Sequence, residues 1–110
     1  MSLTEYVLSL YREGGSAVVK QERAWFAYVV RAADGSFYTG VAVDVERRVR
    51  EHNGGWRGAK CLRGRRPVEL VWRSAGLPKR SALRVEREVK ALSHAEKAAL
   101  ARAGWREAVR

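Results

Sequence analysis

The chain has 110 residues, of which 46% are apolar, enough for one core and too many for a disordered tail. Lysine and arginine total 22 against 12 acids, giving a net charge of +10 and a pI near 10.6, so a polyanion, with nucleic acid first, is the expected partner. One cysteine, Cys61, excludes an internal disulfide and fits a reduced, cytoplasmic setting, and the longest apolar run, Ala24 to Val30, is too short to span a bilayer. The N-terminus has no basic region followed by an apolar core, so no signal peptide is expected.

Residues 2–13 read as an amphipathic helix, with Ser2 and Glu5 at capping-box spacing and Leu3, Tyr6, Val7, Leu10 and Tyr11 on one face. It is an accessory helix packed on the core or, alternatively, a surface for a homodimer or a protein partner. Gly14-Gly15 ends it, and the polar residues up to 23 read as a linker. Residues 24–104 then form the main domain, and 105–110 a loose tail.

Ala24 to Arg31 and Phe37 to Val43 are rich in β-branched and aromatic residues and flank Asp34-Gly35, a hairpin signal. Loop length matters here. A two-residue loop puts Tyr28 and Tyr38 on opposite faces. A three-residue loop, Ala33-Asp34-Gly35 with a left-handed Gly35, puts both on one face and sets Gly40 across from Tyr28. Asp44 caps a helix over 45–53 anchored by Val45 and Val49. Arg48 and His52 fall on its packed side, while Glu46, Arg47, Arg50 and Glu51 point more to solvent.

Residues 54–66, GGWRGAKCLRGRR, carry five cations and no acid. The glycines admit close backbone approach to phosphate, Arg57, Lys60, Arg63, Arg65 and Arg66 attract it, and Trp56 offers a stacking face for a base. Arg47 adds to this basic surface. Cys61 beside Lys60 reads as incidental and not as a nucleophile. Pro67 opens a third strand, Val68 to Arg73, expected to be buried on both faces. Ser81 is expected to cap a helix to about Leu92, with Ala82, Val85, Val89 and Leu92 inward and Glu86 at the margin. Ser93 and Glu96 form a capping box for a last helix, ending near Gly104, with His94 exposed in its first turn.

Hydrolysis of a phosphodiester requires activated water, a cation on the phosphoryl oxygens and a stabilised leaving group. Arg48 suits the phosphate, being planar and permanently charged. Glu86, with no second carboxylate paired to it, suits one Mg²⁺ or Mn²⁺ held through water and phosphate. Tyr28 or Tyr38, with an ordinary pKa of about 10, serves as base only if that value is lowered or if the phenol relays a proton. His52 assists or orients the phosphate.

Ala27-Tyr28-Val29, Tyr38-Thr39-Gly40, Asp44, Arg47-Arg48, His52-Asn53, the Ala-Lys-Cys-Leu-Arg-Gly run at 59–64 and Ala82 to Glu86 together resemble the GIY-YIG nuclease domain. The likeness is greatest to the small stand-alone bacterial UPF0213 proteins. It extends to the N-terminal domain of the excision-repair nuclease and to the nuclease that cuts branched DNA. Ala27 and Val29 stand where the namesake has Gly and Ile, and no Asn follows Glu86. The resemblance implies an α+β fold, a three-stranded, mainly antiparallel sheet flanked by helices, here with an added N-terminal helix. It implies Tyr28 and Tyr38 near the attacking water with Tyr28 the base, Arg48 on the scissile phosphate with His52 nearby, and Glu86 as the metal ligand. The implied activity is metal-dependent DNA cleavage, of DNA sooner than RNA, directed by structure or damage as in repair. A non-catalytic nucleic-acid-binding module and a partner-dependent nuclease subunit are the alternatives.

Overall fold

The structure, a computed structural model, describes residues 23–55 and 57–104. The expected helix over 2–13, Trp56 and the tail at 105–110 lie outside the described residues. Three strands, β1 (Phe26–Arg31), β2 (Phe37–Ala42) and β3 (Glu69–Arg73), form one antiparallel sheet in the order β2-β1-β3. Helix α1 (Val45–Asn53) follows β2; α2 (Lys79–Lys90) and α3 (His94–Ala103) follow β3.

The β1–β2 loop has three residues. The backbone amide and hydroxyl of Ser36 donate to the Asp34 carboxylate at 3.0 and 2.6 Å, and Gly35 takes φ 86°, where a side chain is strained. That odd loop pairs Tyr28 with Gly40 and Val30 with Tyr38. Both tyrosines therefore emerge on one face, because cross-strand partners share a face and side chains alternate along each strand.

The two faces are packed by different helices. Ala27, Val29 and Trp72 meet Ala82, Val85 and Val89 of α2 and Leu100 of α3. Tyr28 and Val30 meet Val45 of α1, with Leu62 and Val68. The central strand is thus buried on both sides, which its near-continuous apolar run requires.

Asp44 caps α1, accepting from the amide of Arg47 at 3.0 Å, and the helix has its expected bounds. Ser93 and Glu96 make the expected reciprocal cap of α3. Two expectations need correction. Helix α2 begins at Lys79, not Ser81: Ala82 donates to the carbonyl of Pro78 at 3.0 Å, so the first helical bond already closes at the proline and Ser81 sits inside the first turn. And β3 is an edge strand, with Glu69 exposed and only Trp72 fully buried, because α1 covers the sheet from the β1 side and leaves Leu70 half-covered. Residues 60–65, expected as loop, form a 3₁₀ turn pinned by the buried Leu62. Among the described residues no helix is long and apolar enough to cross a membrane.

Candidate active site

The face of the sheet beneath α1 carries the chemistry. Tyr28 is buried, and its ring lies across Gly40. A Cβ at position 40 would stand 2.7 Å from the Tyr28 oxygen and 2.9 Å from Cζ. Glycine is thus what makes room for the ring. Tyr38, two residues back along β2, is half-buried on the same side.

His52, from the last turn of α1, is fully buried between them. Its ring meets Tyr38 edge-on at a centroid distance of 5.2 Å. The Ala59 amide donates to Nδ1 at 3.1 Å, which places the ring proton on Nε2, and Nε2–H donates to the Tyr28 oxygen at 2.8 Å. Burial, reinforced by the Arg48 charge, lowers the His52 pKa to about 4, so the neutral tautomer is held at neutral pH. The amide reaches the ring because Gly58 lies against the end of α1; a Cβ there would stand 2.7 Å from the His52 Cα and collide with the Glu51 carbonyl.

His52 was expected near a phosphate. Its two nitrogens are already engaged, so it touches Tyr28 and positions it. With Nε2–H donated to its oxygen, Tyr28 keeps one O–H to give elsewhere. Burial raises the Tyr28 pKa well above its ordinary value, the neighbouring phenol of Tyr38 adds to this, and Arg48 opposes it. Burial raises Tyr38 too, again against Arg48. Both phenols are therefore protonated at neutral pH, the opposite of what a free tyrosinate base needs.

Arg48 Nη1 donates to Glu51 Oε1 and to the carbonyl of Arg57, both at 2.9 Å. Glu51, expected to face solvent, is half-buried and anchors this guanidinium. Its spacing of three from Arg48 on one helix is a signal the sequence does carry. The Glu51 pairing also raises the Arg48 pKa, keeping the charge permanent.

Glu86, on α2, arrives from the other layer. Its side chain is 20% exposed, with Lys90 as its ion-pair partner at 3.8 Å. Its carboxylate raises the pKa of both Tyr28 and Tyr38, so it shares their electrostatic neighbourhood. Among the described residues no group of three His, Cys, Asp or Glu could cage an ion. The donor set instead fits a hard cation that takes one carboxylate oxygen and otherwise water and phosphate.

The expected nucleic-acid contacts divide. Lys60 and Arg63 are exposed, as are Arg57, Arg65 and Arg47. Arg65 pairs with Asp34 at 3.3 Å and Arg47 with Glu51 at 3.3 Å. Arg66 is a correction: its Nε donates to the His52 carbonyl at 2.6 Å and Nη2 to the Gly55 carbonyl at 2.7 Å, so its guanidinium ties down the end of α1. The last carbonyls of a helix lack internal partners, and an arginine on the next segment supplies one. The sequence reading missed Gly58 and the Ala59 amide, which no side-chain pattern announces.

The family model of the GIY-YIG catalytic domain matches residues 24–99. A UPF0213 protein of Vibrio cholerae is 49% identical over 80 residues, covering 69% of this chain and 75% of its own length. The UPF0213 protein YhbQ of Escherichia coli is 47% identical over 81 residues, 73% of this chain and 79% of its own. The solution structure of a UPF0213 protein from Bacillus halodurans is 43% identical, covers 72% of this chain and 83% of that one, and superposes with a TM-score of 0.46. The matched span takes in Tyr28, Tyr38, Arg48, His52 and Glu86 alike, and the chain belongs to the GIY-YIG family, among its UPF0213 members.

Proposed function

We propose that the protein is a metal-dependent endonuclease that hydrolyses phosphodiester bonds in DNA, directed by the structure or damage of its substrate more than by base sequence. The observation that carries this reading is the gathering of Tyr28, Tyr38, Arg48 and Glu86, from both strands of the hairpin and from helices on both faces of the sheet, around a buried histidine that fixes one phenol. A net charge of +10 supplies the attraction for a polyanion.

Arg48, held by Glu51 and the Arg57 carbonyl, presents a fixed positive charge to the phosphoryl oxygens as negative charge builds on them. Tyr28 orients the attacking water. Being protonated, it takes a proton from that water only as it passes its own to a phosphate oxygen or to solvent, so it acts as a relay and not as a standing base. His52 keeps the phenol aimed. Glu86 would hold the divalent ion, Mg²⁺ or Mn²⁺, which when bound stabilises the leaving oxygen.

The test is a panel of supercoiled plasmid, branched DNA, single-stranded DNA and RNA, each with Mg²⁺ and with Mn²⁺. Nicking is expected to need the metal, to vanish in Glu86→Ala and to fall about 10²–10³-fold in Arg48→Ala. Cleavage without metal, or full activity in Glu86→Ala, overturns the reading. Salt-sensitive binding without turnover on every substrate points to a non-catalytic binding module instead.

A further inference from the structure

The proposed chemistry uses only the margin of α2 that bears Glu86. At about 100° per residue, stepping round α2 from Glu86 away from the buried Ala82, Val85 and Val89 meets Lys90 and Lys79, then Leu83, then Arg87 and Arg80, then Arg84. Every charged residue on this arc beyond Glu86 is a cation, and the helix's other acid, Glu88, lies past Arg84. Lys90 pairs with Glu86, and Lys79 Nζ lies 4.9 Å over the Trp25 ring. Arg80, Arg84 and Arg87 are exposed and have no ion-pair partner among the described residues. At their centre Leu83, 38% exposed, is the one exposed large apolar side chain among the described residues.

We propose that Arg80, Arg84 and Arg87 form a second phosphate-backbone surface, which takes up the duplex on the Glu86 side of the scissile position. Where it lies relative to the cut rests on the nuclease reading; its charge complementarity to a duplex does not. At spacings of four and three the guanidiniums stand on one face as like-charged neighbours, a repulsion that a bound polyanion relieves. Seven residues of helix rise about 10 Å, matching three phosphate steps at about 3.4 Å per strand. The arginine stems can lie along Leu83 while their heads reach the backbone. The hollow then lies between two cationic flanks, the 57–65 segment on the Arg48 side and α2 on the Glu86 side. This surface reads no bases, so it strengthens binding without adding sequence preference.

The test measures binding of a fluorescent duplex by anisotropy, in EDTA to prevent cleavage, from about 50 to about 200 mM salt. It compares the wild type, Arg80→Gln/Arg84→Gln/Arg87→Gln, and a control, Lys97→Gln/Arg102→Gln on α3. Glutamine keeps helix propensity, and circular dichroism checks the fold. Loss of three phosphate contacts lowers the slope of log K against log salt by about 2.7, so across that range the wild type loses roughly 40-fold more affinity than the triple variant. The control is expected to keep the wild-type slope. A triple variant with the wild-type slope overturns the proposal, as does an equal fall in the control, which would mark a diffuse charge effect. A wild type that binds with the expected slope difference but cuts nothing sinks the nuclease reading and leaves this surface standing. A wild type that cuts while the triple variant shows an unchanged slope and KM does the reverse.

Discussion

Lowering the pH from 7 to 5 should destabilise the fold through one ring. His52 is fully buried, accepts from the Ala59 amide at Nδ1 and donates to Tyr28 from Nε2, an arrangement open only to the neutral imidazole. Its pKa is lowered from 6.5 in the unfolded chain to about 4. Between those values the unfolded chain binds a proton and the folded chain does not. The stability conferred by the neutral ring is therefore whole above about pH 6.5 and is lost as the pH falls toward 4. The full gap corresponds to on the order of 3 kcal/mol, of which about 2 kcal/mol is gone by pH 5. With a urea m-value of about 1 kcal/mol/M for a domain of this size, the unfolding midpoint drops by about 2 M. Asp34 and Glu51, whose pKa values are lowered by Ser36 and Arg48 respectively, lose their contribution only below the ordinary carboxylate range, so the window from 7 to 5 belongs to the imidazole. Urea titrations at pH 7, 6 and 5 on the wild type and His52→Gln measure this. Glutamine keeps a donor for Tyr28 and has no group that titrates there, so its midpoint should be nearly flat. A flat wild-type profile, or an equal slope in His52→Gln, refutes the assignment of a buried neutral ring.

Gly40→Ala brings a methyl to 2.7 Å from the Tyr28 oxygen and should cost about 1–3 kcal/mol in urea unfolding as the ring is displaced from His52. An unchanged midpoint would mean that the ring does not rest on Gly40. Arg66→Ala removes two charge-assisted bonds to the carbonyls of His52 and Gly55 and should cost about 1.5–3 kcal/mol. Hydrogen exchange should show the Ala59 amide losing protection in that variant, since the same segment carries it to His52. Ser93→Ala deletes the cap of α3 and should lower stability by about 1 kcal/mol, with the first turn of that helix exchanging fastest.

Much of the framework could be read locally. Asp44 and the apolar pair Val45 and Val49 bounded α1 because a cap and a periodicity act over a few residues. Ser93 and Glu96 did the same for α3. Where a local rule misled, a neighbour outbid it. Ser81 looked like a cap, but the chain had already turned at Pro78. Val68 to Arg73 looked buried on both faces from its composition, but burial depends on what covers the strand, and α1 sits over β1 instead. Arg66 looked like one more phosphate ligand in a basic run, whereas unpartnered carbonyls at the end of α1 claim it.

From the residues alone came the strands, the helix caps, the positive charge and the group Tyr28, Tyr38, Arg48, His52 and Glu86, because alternation, capping and charge are properties of neighbouring positions. The parity of the hairpin stayed open between two loop lengths until Asp34 and Gly35 were seen to close the longer one. Tertiary structure alone decided that His52 turns its back on any phosphate to hold Tyr28, that Glu51 takes Arg48, and that Gly58 lets a backbone amide choose the histidine tautomer. Those outcomes depend on which segments meet in three dimensions, and on the desolvation that follows, neither of which is written in spacing along the chain.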